Sequence, residues 1–226
     1  MFLRFVLSII FSLAALPAHA EFILSSSIIE FSAGSPKQKD IEIISRSQEN
    51  DYVVSEISEV ARAGLEGEKQ QPVEDPRNSW LLVTPNRTIL TGGSRRVLRF
   101  VLLKEPDDKE HIFRVAVKPV ISGVEAQALV GLKVLVGYEV LVIIRPAEIK
   151  SAVEGQRQGD TLYLHNTGNT NILLQSGRQC DAAQECANLP ARRIYPGQKM
   201  QLSLPQAAPV TYSLWDGKKT MSRSFD

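Results

Sequence analysis

The sequence runs to 226 residues, enough for one large or two small domains with proper cores. Its 26 Lys and Arg against 25 Asp and Glu leave a formal charge of +1, so no overall basic field exists to gather nucleic acid. With 2 Cys and 3 His in the whole chain, and no H-E-x-x-H, G-x-S-x-G or P-loop pattern, neither catalysis nor a metal or other cofactor is expected.

Met1-Phe2-Leu3-Arg4 leads into an apolar run from Phe5 to Leu16 and then Pro17-Ala18-His19-Ala20, the charged region, apolar region and A-x-A site of a secretory signal. Cleavage is expected between Ala20 and Glu21, which makes residues 1–20 a signal peptide. The apolar run is about 12 residues, short of the roughly 20 that span a bilayer. No later stretch is apolar enough to be a membrane segment, so a soluble exported protein is expected.

Beyond the signal, short Val-, Ile- and Leu-rich runs with period-two alternation recur between Gly, Pro, Asn and Asp signals, which predicts an all-β protein. In chain order the expected strands are Phe22 to Phe31, Lys39 to Ile44, Asp51 to Val60, Trp80 to Thr84, Arg95 to Leu103, His111 to Lys118 and Leu129 to Ile144. Seven such strands suit one immunoglobulin-like sandwich. Ala63 to Asn78, with Gly67-Glu68-Lys69-Gln70-Gln71 at its centre, reads as a mobile surface loop.

The last of these strands is unusual. Val130, Leu132, Val134, Val136, Tyr138, Val140, Val142 and Ile144 are apolar on one parity, while the other carries Gly131, Lys133, Gly137 and Glu139 before Leu141 and Ile143. The strand therefore changes from half-buried to buried on both faces as it proceeds. Arg145-Pro146-Ala147 then ends it, and the domain boundary is placed near Pro146. Thr161 to Leu164, Ile172 to Gln175, Met200 to Leu204 and Thr211 to Leu214 are the strands of a smaller second sandwich, with turns at Asn166-Thr167-Gly168-Asn169 and Pro196-Gly197.

In an exported chain Cys180 and Cys186 are most simply one disulfide. The rival is a metal or redox pair, but the spacing is not C-x-x-C and the nearest imidazole, His165, stands alone. His111 reads as a solvated histidine at the start of a strand, Asp107-Asp108 as turn formers, and Trp80 and Trp215 as core.

The export signal, a sandwich over residues 21–146 with the long strand 129–144, and a smaller one over 147–226 together resemble the PapD-type periplasmic pilus chaperones of the chaperone-usher pathway. Val83-Thr84-Pro85, Ile89-Leu90, Gly93 and Val97-Leu98-Arg99-Phe100 are similar to that family's proline-ended strand, glycine turn and strand with a single arginine. Pro106-Asp107-Asp108-Lys109-Glu110-His111-Ile112-Phe113-Arg114-Val115 resembles its acidic turn into an aromatic strand. Gly159-Asp160-Thr161-Leu162, Asn166 to Asn169, Ile172, Cys180, Cys186 and Tyr195-Pro196-Gly197 resemble the alternative, common-pilus-like branch.

The resemblance implies two immunoglobulin-like sandwiches set as an L or boomerang around a cleft, in the periplasm of a Gram-negative bacterium. It implies a chaperone that binds and caps pilus subunits, including a tip adhesin, and delivers them to an outer-membrane usher. Donor-strand complementation would satisfy a subunit's unpaired strand edge, with Val130, Leu132, Val134 and Val136 filling its groove. Four such side chains at roughly 1.5 to 3 kcal/mol each could supply much of the binding.

The family's basic pair for the subunit's terminal carboxylate is not matched. No basic residue lies between Glu21 and Pro36, and the long-strand lysine position is Leu141, so the anchor is unassigned, with Arg145 and Lys150 the nearest cations by sequence. A homodimer of free chaperones hiding the exposed strand is left open. The competing reading, a structural pilus subunit or adhesin, would require the chain to lack a final strand of its own.

Overall fold

The computed structural model describes residues 22–120, 135–181, 184–206 and 208–226. In chain order the strands are β1 (Phe22–Leu24), β2 (Ile28–Phe31), β3 (Gln38–Ser45), β4 (Asp51–Ala61), β5 (Lys69–Pro72) and β6 (Leu81–Thr84). They continue with β7 (Arg87–Leu90), β8 (Arg95–Leu102), β9 (His111–Val120), β10 (Tyr138–Ile144), β11 (Val153–Gln158) and β12 (Thr161–Asn166). The chain ends with β13 (Ile172–Cys180), β14 (Cys186–Leu189), β15 (Arg192–Ile194), β16 (Lys199–Ser203), β17 (Val210–Trp215) and β18 (Thr220–Phe225).

Four sheets form among the described residues. Two belong to residues 22–144, in the orders β1-β3-β8-β6 and β2-β10-β9-β4-β5, with β7 also paired to β4. The other two are β11-β12-β16 and β14-β13-β17-β18, with β15 also paired to β13. Alternation explains the layers: on β9 Phe113, Val115 and Val117 are buried, and on β17 Val210, Tyr212 and Leu214. These residues feed two separate cores, one around Phe22, Phe31, Phe100 and Phe113 and one around Leu162, Leu174, Ile194 and Tyr212.

The first expected strand is in fact two. Phe22–Leu24 pairs with β3 in one sheet, the chain crosses over at Ser25-Ser26-Ser27, and Ile28–Phe31 pairs parallel with β10 in the other sheet. The two short ladders read as one strand because the crossover carries only serines, with no Gly, Pro, Asn or Asp to mark the break.

The expectation of a surface loop over Ala63 to Asn78 is overturned. Lys69–Pro72 pairs with Ser58–Ala61 as a hairpin, and Pro76–Asn78 forms a 3₁₀ turn capped by Asp75. Arg62, Gly64 and Gly67 all have φ between 59° and 78°, the left-handed geometry that lets this chain double back despite its polar composition. The second domain also has strands its sequence hid, β11, β14, β15 and β18, whose exposed residues are largely polar and blur the alternation.

Candidate functional site at the edge of β10

Along its whole length β10 pairs antiparallel with β9, from Tyr138 opposite Val117 to Ile144 opposite His111. On its other side the ladder is shorter: β2 starts only at Leu141 opposite Ile28 and ends at Ile144 opposite Phe31. Among the described residues, Tyr138 to Val140 thus have a strand on one side only. The groups of an open strand edge are a template for another strand.

The apolar parity faces inward where its own sandwich extends. Val140, Val142 and Ile144 are 0% exposed in the first core, and Tyr138 packs at its margin against Phe22 with ring centroids 5.4 Å apart. At Val136 the same parity is 42% exposed. The stripe therefore runs off the end of its own core. Val130, Leu132 and Val134 continue that parity but lie outside the described residues, as do Ala20 and Glu21.

The opposite parity accounts for the double burial read from the sequence. Ile143 is 0% exposed in a cluster with Val60 and Ile112, flanked by Leu141, Ala63 and Tyr195. Tyr195 comes from the second sandwich, so the outer face of β10 around Ile143 is covered by the neighbouring domain. The turn after β4 meets the same residue: a Cβ on Gly64 would stand 2.6 Å from Tyr195 Cδ2 and 2.7 Å from Gln198 Oε1.

A polar hub completes the contact between the sandwiches. Arg145, 0% exposed, donates from Nη1 to Thr170 Oγ1 at 2.8 Å and to the Asn171 carbonyl at 2.7 Å, and from Nη2 to Glu30 Oε2 at 3.1 Å. Glu110 Oε2 accepts from the Thr170 hydroxyl at 2.7 Å, the Asn171 backbone N–H at 2.8 Å and Asn171 Nδ2 at 2.7 Å. Arg193 donates to Asn171 Oδ1 and lies 3.9 Å from Glu30. Buried charges persist only when partnered in this way.

Residues 21–150, more than half of the chain, match the family described as the pili and flagellar-assembly chaperone, PapD N-terminal domain. The chain belongs to this family.

The fold of the whole chaperone is found in solved structures. The class 5 fimbriae chaperone CfaA is 19% identical with a TM-score of 0.65, over 91% of this chain and 99% of that one. The SafB chaperone, solved with the Salmonella enterica SafA pilin, gives 16% and 0.63 over 93% and 97%. The E. coli chaperone DraB gives 20% and 0.60 over 91% and 96%. No curated protein matches the chain. The protein's role is that of a chaperone in pilus assembly.

Within the chaperone, the residues singled out by sequence fall in different places. Arg145 is sealed in the hub, whereas Lys150 is exposed beyond it, its backbone N–H donating to Asn169 Oδ1 at 2.8 Å. Cys180 and Cys186 are joined by a disulfide across the β13–β14 hairpin. His111 is not a solvated residue: its side chain is 16% exposed, its ring stacks on Trp80 at 4.0 Å, and Nε2 is 3.1 Å from both Asp107 oxygens. Trp80 packs against the first core, but Trp215 is only half-buried and outside the second.

The charges around the cleft are mutually committed. Hydrogen bonding to Glu139 holds the Arg114 guanidinium more firmly protonated, and Glu68 lies 3.5 Å from it. Burial pulls Arg193 down and pushes the Tyr195 phenol up, so that the phenol stays neutral. Burial alone would raise the Asp107 carboxyl, but the Lys109 N–H and the His111 ring outweigh it and lower it.

Sequence reasoning assigned no role to Glu30, Glu110, Thr170 or Asn171. A signal existed for the first: Glu30 is the lone acid inside Ile28-Ile29-Glu30-Phe31, where a charge needs a partner.

Proposed function

We propose that this chaperone works in the periplasm of a Gram-negative bacterium and holds pilus subunits by donor-strand complementation, lending the stretch that leads into β10. The observation that carries the reading is the half-open ladder: Tyr138 to Val140 pair with β9 alone while the apolar parity emerges from the core at Val136. A subunit strand added there would gain main-chain hydrogen bonds, and the alternate side chains would fill its groove.

Val130, Leu132, Val134 and Val136 are the residues assigned to that groove. Capping in this way would keep the subunit from pairing with others until delivery to an outer-membrane usher, and a homodimer of free chaperones would hide the same edge. Placement in the common-pilus-like branch rests on the Asn166 to Asn169 turn and the Cys180–Cys186 hairpin. The competing reading as a structural subunit is weakened by β10, which lies between β2 and β9 and supplies the first sandwich with a strand of its own.

The test is co-purification of the tagged chaperone with the proteins encoded beside it. A subunit is expected at one to one, and Leu132→Asp with Val134→Asp should remove it while the chaperone stays folded. Recovery of the same subunit at the same yield with the double variant would refute strand donation.

A further inference from the structure

The open edge of β10 has a defined end. An added strand would lie collinear with β2, and its path is closed where the chain crosses from β1 to β2, since Ser27 already accepts the Leu141 N–H at 2.9 Å. The end of the added strand therefore abuts Ile28. Ile28 and Leu141 are register partners and so share the outer face of the sheet, and Ile28 is 45% exposed.

The guanidiniums around this junction are already engaged by carboxylates and amides, although the Arg114 Nε–H, opposite Leu141 in register, has no hydrogen-bond partner of its own. Arg114 is held by Glu139 and Glu68, Arg145 by Glu30 and Glu110, and Arg193 by Asn171 with Glu30 at 3.9 Å. Three guanidiniums thus face four carboxylates, Glu30, Glu68, Glu110 and Glu139, a local excess of negative charge. An incoming carboxylate would be repelled and would have to displace an existing ion pair.

We propose that the end of the bound subunit strand is recognised by apolar contact with the Ile28–Leu141 step, the specificity-determining pair of this cleft, rather than by a cation binding its terminal carboxylate. An apolar residue at that end of the strand covers Ile28, and the backbone ladder supplies the rest. This rests on the strand-donation reading above.

Retention of the co-purified subunit by immobilised chaperone tests it. Ile28→Ser and Ile28→Arg should both weaken retention about tenfold, because each removes apolar surface. Arg114→Gln, and a rise from about 0.05 to about 0.5 M salt, should change it less than about twofold, since no exposed charge pair carries the contact.

Tighter retention by Ile28→Arg, or release by salt or by Arg114→Gln, would overturn the proposal. Val136→Asp separates the two readings. If it releases the subunit while Ile28→Ser does not, only the apolar end contact fails. If the subunit survives Val136→Asp as well as Ile28→Ser, both fail. A far-UV spectrum and a melting curve of each variant confirm its fold, which the exposure of Ile28 favours.

Discussion

Arg145 shows how a single side chain decides between site and scaffold. Its position beside Pro146 makes it a candidate ligand anchor, yet both its Nη atoms are spent on Thr170, Asn171 and Glu30, and its unpartnered Nε is shut in by Gly217, with φ +95°, where an added Cβ would stand 2.4 Å from Nε. Arg145→Ala would leave the buried Glu110 carboxylate without its cation, so it should cost about 3 to 5 kcal/mol, read as a lower urea midpoint. Asp216, 1% exposed, is a second such residue. Burial alone would raise its carboxyl, but the Ser151 hydroxyl and the Lys219 and Lys218 N–H groups lower it below the ordinary 3.8. A lowered carboxyl contributes stability that is present above its unfolded value and lost as pH falls through the folded one. Asp216→Asn should therefore flatten the loss of stability below about pH 4, seen in urea midpoints at neutral and acid pH; an unchanged acid limb would contradict this. What could not be read from sequence at this scale was partnership: the turn Asn166 to Asn169 was visible, but that residues 170 and 171 reach Glu110 and Arg145 depends on how two sandwiches dock.

At the scale of elements, alternation made β3, β4, β8, β9, β12 and β17 legible, because each sends one parity into its own core, even though Val60 of β4 and Ile112 of β9 are buried from the other parity. The β4–β5 hairpin was not, since Lys69-Gln70-Gln71-Pro72 is exposed throughout and carries no apolar period. It holds its shape through left-handed turn residues and through its contact with the second domain. Gly64→Val combines a φ of +70° with the 2.6 Å approach to Tyr195, and should destabilise by about 1 to 3 kcal/mol, whereas Gly67→Val, with the same backbone strain but nothing within 4 Å, should cost less. Thermal melts of the two variants compare them directly. Equal losses would mean that the hairpin does not touch the second sandwich. The candidate edge was half legible for a related reason: the apolar parity of β10 is a sequence property, but where β2 stops pairing with it is not.

For the whole molecule, among the described residues, an apolar patch around Ile143 and Tyr195 and a polar hub around Arg145 and Glu110 join the two sandwiches, fixing the outer face of β10 around Ile143 while leaving its edge free. That division explains why the same strand is buried on both faces at one end and open at the other. A formal charge of only +1 fits recognition by strand pairing and apolar fit rather than by long-range attraction. The most direct test is amide hydrogen exchange of Glu139, whose N–H lies on the same side of β10 as the Leu141 N–H that bonds Ser27 and so faces the open edge, in the free chaperone and in its complex with a pilus subunit. If β10 donates its open edge, exchange at the Glu139 amide should slow by at least about tenfold on binding, while Ile143 and Ile144, already laddered on their own sides, change little. Equal exchange at the Glu139 amide in the free and bound states would contradict strand donation at this edge.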